Sequence, residues 1–73
     1  MIFTRQQLDK ELELINPKLD SVRSGFHFVA LCRNGYTGLD LFCGDQCEVL
    51  ATGSPSYCFD AACRYIVLNM KVN

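Results

Sequence analysis

The sequence predicts an α+β domain of order α-β-β-β-α, a three-stranded antiparallel meander with both helices packed on one face. Three local signals carry that reading: a capping box at Thr4, an Asn34-Gly35 pivot between alternating apolar runs, and a Ser54-Pro55 helix start. Each marks one end of an element, and the residues between them supply its periodicity.

Thr4 and Gln7 have the S/T-x-x-Q spacing in which each side chain satisfies a backbone donor of the other residue. Phe3 and Leu8 then fall at the two positions of a hydrophobic staple. Leu8, Leu12 and Ile15 form an apolar stripe at helical spacing, while Asp9, Lys10, Glu11 and Glu13 lie mostly around the other side. Arg5 is placed to meet Asp9 one turn on. Pro17 disfavours helical geometry at Asn16, so the helix should stop near there. Pro17 to Val22 reads as one further short turn that tucks Leu19 and Val22 down, closed by Ser24-Gly25.

Asn34-Gly35 is the dipeptide best suited to a type I′ reversal, because both central residues need positive φ. Counting outward gives Arg33/Tyr36, Cys32/Thr37, Leu31/Gly38, Ala30/Leu39, Val29/Asp40, Phe28/Leu41, His27/Phe42 and Phe26/Cys43. Facing residues share a side of the sheet and successive pairs alternate. One side then gathers Phe26, Phe28, Ala30, Cys32, Leu39, Leu41 and Cys43, a coherent core surface. With Gly44-Asp45-Gln46 as the next loop, a strand from Cys47 to Thr52 adds Cys47, Val49 and Ala51 to it. They should face Cys43, Leu41 and Leu39, since a slip of one residue would bury Glu48.

Ser54-Pro55 reads as an N-cap followed by proline at the first helical position. Phe59, Ala62, Cys63, Ile66, Val67 and Met70 recur on one side of the helix that follows. Asp60, Arg64 and Lys71 mark the other side, with Leu68 among them. No repeat or low-complexity segment interrupts the chain.

Seventy-three residues make a single domain, 1–73, near the size where burial only just offsets chain entropy. A hydrophobic fraction of 49% argues against disorder. Lys plus Arg total 7 against 8 for Asp plus Glu. A dedicated nucleic-acid binder needs a clear positive excess, and a DNA mimic needs dense carboxylates. The opening residues lack an apolar signal core and no run approaches membrane-spanning length, so the expected compartment is cytoplasmic, without a membrane partner.

Cysteine is abundant: Cys32, Cys43, Cys47, Cys58 and Cys63. In a reducing compartment they read as small buried hydrophobes, not as a disulfide framework. Cys43-x3-Cys47 with Cys58-x4-Cys63 departs from the two-residue spacing of zinc knuckles, so no metal or other cofactor is expected. A thiol nucleophile would need a base, and His27, the one histidine, falls on the sheet side opposite Cys32 and Cys43. No glycine-rich phosphate loop or metal-binding His cluster is visible. The chain reads as no enzyme.

The element order resembles that of the double-stranded-RNA-binding domain, in topology alone. That family opens its last helix with a serine followed by phosphate-contacting lysines. With Ser56 set on that serine, the lysine positions hold Tyr57, Cys58 and Ala61, so the resemblance implies no RNA contact.

The function expected is therefore binding to another protein. The side of the sheet away from the helices should show His27, Val29, Leu31, Arg33, Tyr36, Asp40, Phe42, Glu48, Leu50 and Thr52. An open antiparallel face is usually polar, whereas this one is about half apolar. The partner-binding candidates are His27, Val29, Leu31, Arg33, Tyr36, Phe42 and Leu50, with the acidic side of the first helix as a further surface. Such a face also suits a symmetric homodimer. Size and lack of catalytic chemistry suit an inhibitor of a host complex encoded by a phage or mobile element, of anti-CRISPR or other anti-defence type. The alternative is a nucleic-acid-binding or zinc-stabilised small module.

Overall fold

The computed structural model describes residues 3–70, in the order α1 (Arg5–Val22), β1 (Phe26–Arg33), β2 (Tyr36–Cys43), β3 (Gln46–Gly53) and α2 (Pro55–Met70). The strands form one antiparallel sheet with β2 in the centre. α1 packs chiefly on β1 and α2, and α2 on β3 and β2. Leu8, Leu12 and Leu19 of α1 and Cys58, Ala62 and Ile66 of α2 meet Phe28, Ala30, Leu39, Leu41 and Ala51 in a single core. Those five strand residues all lie on one side of the sheet, so both helices cover that side and leave the other bare.

The capping box forms: Gln7 N–H donates to Thr4 Oγ1 at 3.2 Å, and Thr4 N–H donates to Gln7 Oε1 at 2.8 Å. Phe3 packs on the core, its ring 5.5 Å from that of Phe59. α1 does not stop at Asn16 but runs through Pro17 to Val22. Proline removes one helical donor and crowds the carbonyl four residues back. Pro17 is exposed, so water can solvate that carbonyl, while Leu19 in the next turn is fully buried. Arg5 turns away from Asp9, and its Nη2 donates to Ala30 O at 3.3 Å.

The first hairpin has the expected register at all eight pairs, with positive φ at Asn34 and Gly35. The second differs. Its loop is Gly44-Asp45 alone, with positive φ at Gly44 but not Asp45, the signature of a type II′ turn. Cys43 therefore faces Gln46, Phe42 faces Cys47, Leu41 faces Glu48 and Asp40 faces Val49. A β-bulge at Leu50 takes up the extra residue, and Ala51 returns to its expected place opposite Leu39. Cys47 and Val49 leave the core for the open face, and Glu48 stands exposed on the helix side. The burial penalty that should have prevented this slip is absent, because Glu48 stays exposed to solvent although it faces Leu41.

α2 starts as expected, with Tyr57 N–H donating to Ser54 Oγ at 3.1 Å. Its buried residues are Cys58, Ala62 and Ile66, with Phe59, Ala61 and Tyr65 packed against the core. Val67 and Met70 are exposed, and Cys63 is half-buried. The inward stripe is rotated toward Cys58 because Tyr65 docks edge-on to Phe28, with ring centroids 6.0 Å apart. Cys32, expected in the core, is exposed at the sheet end, and Cys43 is half-buried. Lys71, assigned to the polar side of this helix, lies outside the described residues.

Candidate functional site

The bare side of the sheet is built by strand alternation. β1 contributes His27, Val29, Leu31 and Arg33, and β2 contributes Tyr36, Gly38, Asp40 and Phe42. From β3 come Cys47, Val49 and Thr52. His27 and Phe42 are cross-strand partners whose rings stack at 5.6 Å and 19°. Tyr36 is 62% exposed and Val49 52%, while Val29, Leu31 and Phe42 are half-buried against their neighbours.

Asp40 lies at the middle of this face, and it is fully buried. Its Oδ2 is bonded by Arg33 Nη2 and accepts from Cys47 Sγ at 3.3 Å. Its Oδ1 has no hydrogen-bond partner among the described residues. A carboxylate taken out of water needs a cation and hydrogen bonds to be tolerated. Arg33 supplies the cation and half the cover, since its own side chain remains 42% exposed. Gly38 makes room for that route: a Cβ there would stand 3.2 Å from Arg33 Cδ and Nε. Partial desolvation raises the Cys47 thiol above its ordinary range, with the hydrogen bond and charge of Asp40 adding and Arg33 opposing. The raised value favours the protonated thiol, the form that donates to Asp40.

Of the predicted binding residues, His27, Val29, Leu31, Arg33, Tyr36 and Phe42 share this face. Leu50 does not. It is the bulge residue, half-buried and packed against the helix-side core. Glu48 is likewise on the helix side. Asp40, read as an exposed surface carboxylate, is buried instead, and Cys47 and Val49 join the face unforeseen. The signal that would have found those two is Gly44-Asp45, since Gly at the first loop position is the type II′ pattern.

Compared with known protein families, characterised proteins and solved structures, the chain matches none. Cys43 and Cys47, expected side by side, do not face each other, because Cys43 pairs with Gln46 and Cys47 with Phe42. All five cysteines are free thiols. Among the described residues no three His, Cys, Asp or Glu side chains converge on a point where a metal could sit. No described helix is long and apolar enough to cross a membrane. A separate apolar groove runs between the helices, about 210 Å³, lined by Ile15, Lys18, Cys63, Ile66, Val67 and Met70.

Proposed function

We propose that this chain is a non-catalytic protein-binding module that docks through the open sheet face. The observation that carries the reading is the neutralised charge at the face's centre. Arg33 and Asp40 pair within the sheet, so Val29, Leu31, Tyr36, Phe42 and Val49 surround a pair with no net charge. Interfaces are depleted of unpaired charge at their centre and enriched in aromatic residues and arginine. Contiguous apolar surface on a small domain marks a contact site. A partner covering this face would leave no buried charge unmatched, and a second copy of the chain could do so by two-fold symmetry. A domain of this size would act by occupying a surface its partner needs, which is how a phage- or mobile-element-encoded inhibitor of a host complex works.

Affinity capture from a candidate host lysate tests the reading, with Tyr36→Asp and Phe42→Asp as face variants and Leu68→Asp on the helix side as control. A partner held by the wild type and the control but lost by both face variants supports the face. Retention by both face variants, or loss only in Leu68→Asp, removes it. Sedimentation of the purified chain at rising concentration tells a second copy from a different protein.

A further inference from the structure

The two edges of the sheet are finished differently. On β1 the outward groups of Phe28 and the outward carbonyl of Ala30 are occupied. Phe28 N–H donates to Asn16 Oδ1 at 2.7 Å, Asn16 Nδ2 donates to Phe28 O at 3.2 Å, and Arg5 covers Ala30 O. α1 thus covers the middle of that edge with side chains. On β3, Gln46 and Cys43 close a two-residue hairpin, so Gln46 and Glu48 turn their N–H and C=O groups inward to β2. Cys47 and Val49 turn theirs outward. Among the described residues nothing hydrogen-bonds them, and both residues are exposed. The bulge at Leu50 ends this open stretch.

A cavity of about 330 Å³ opens beside the same stretch on the helix side, lined by Phe26, Leu41, Cys43, Gln46, Cys47 and Glu48. Its walls are apolar at Phe26 and Leu41, and its rim carries the Glu48 carboxylate. Glu48 forms no ion pair with a described residue.

We propose that the β3 edge receives an extended segment of another protein, antiparallel to β3 and hydrogen-bonded to Cys47 and Val49. That segment carries a lysine or arginine opposite Glu48. Strand addition supplies main-chain hydrogen bonds, and pockets for alternate side chains supply selectivity. A residue opposite Glu48 sits in a non-hydrogen-bonded pair, where cross-strand side chains approach most closely. A basic side chain there lays its aliphatic stem on Phe26 and Leu41 and its charge against the carboxylate. A second copy fits this edge poorly. The two-fold register that satisfies Cys47 and Val49 sets the Glu48 side chains of the two copies face to face, which is destabilising. The edge meets the open face at Cys47 and Val49 but offers backbone groups and Glu48 where the face offers side chains, so the two proposals fail separately.

The test is an NMR titration of the whole labelled chain with a blocked heptapeptide of alternating Thr and Val, Lys at its centre. In the free protein the Cys47 and Val49 amides should exchange freely, and with peptide they should shift and slow about tenfold or more. A Glu-centred peptide should bind about tenfold more weakly, and Glu48→Lys should reverse the preference. Methylating alternate peptide nitrogens should abolish binding, and Leu68→Asp, on the exposed side of α2, should leave it unchanged. The proposal is overturned by no shift up to about 1 mM peptide, or by equal binding of the methylated peptide. It is also overturned if Cys47 and Val49 are already protected in the free protein, including by self-association at higher concentration.

Discussion

Arg33 holds Asp40 across the first hairpin, although Asp40 lies four positions along β2 from Tyr36, the strand partner of Arg33. The guanidinium reaches it by passing over Gly38. One diagonal contact therefore explains three features: a fully buried carboxylate on a bare face, a glycine inside a central strand, and an arginine half withdrawn from solvent.

Removing the cation should be costly. Breaking a fully buried ion pair leaves an uncompensated charge worth about 3–5 kcal/mol, and the exposure of Arg33 lowers that to about 2–3 kcal/mol. Arg33→Ala is expected to lower unfolding stability by that amount in urea, whereas Arg33→Leu combined with Asp40→Leu should cost far less. A single variant within about 0.5 kcal/mol of wild type would mean the carboxylate does not depend on Arg33.

Gly38→Ala isolates the route of that side chain. Alanine in a strand gains about 0.5 kcal/mol by restricting the unfolded chain. Here its Cβ would press on Arg33 at 3.2 Å and displace it from Asp40. The substitution should be stabilising in an Arg33→Ala background and neutral or destabilising in the wild type. A double-mutant cycle reads the difference, and strict additivity would refute the coupling.

Asn16 plays the part of a missing strand, with its amide donating to and accepting from Phe28. Asn16→Leu strands both backbone groups at a partly buried site, with an expected loss of about 1–3 kcal/mol. Asn16→Asp keeps the acceptor and should lose less. Hydrogen exchange at the Phe28 amide should quicken in Asn16→Leu and stay slow in Asn16→Asp. Equal exchange in the two variants would show that the edge is closed by something else.

The fold was legible wherever a local signal decided it. Asn34-Gly35 admits a single tight reversal, and the first hairpin followed from it by counting. Thr4/Gln7 and Ser54 announced both helix starts. The misreadings arose where a distant contact outweighed a local preference. Pro17 should end a helix, but Leu19 finds the core one turn later. Val67 and Met70 have the spacing of core residues, but the docking of Tyr65 on Phe28 turns them outward. At the face, alternation assigned His27, Val29, Leu31, Arg33, Tyr36 and Phe42 to one side. It could not show Asp40 buried beneath Arg33, because the pairing is diagonal and depends on the space at Gly38.

The thiols give the fold a pH dependence of definite sign. Cys58 is fully buried, its Sγ 3.4 Å from Thr37 O, and burial pushes it up from the ordinary value against a smaller opposing pull from the Gly53 backbone. Burial also raises Cys63, with the Asp60 and Glu11 carboxylates adding to it. Cys47 is raised as well. A group whose pKa is raised on folding favours its protonated form in the native state, so its contribution is complete below the unfolded pKa, about 8.5 for cysteine. Above that value the unfolded chain releases protons that the folded chain keeps, and stability falls. The thiols should therefore add no slope to the urea midpoint below about pH 8, and above it the midpoint should decline more steeply than in a Cys47→Ala/Cys58→Ala/Cys63→Ala variant. Equal slopes in the two proteins would show that these thiols do not carry the alkaline loss. Alkylation supplies the residue-level check: exposed Cys32 should react early and Cys58 last, at the rate of unfolding.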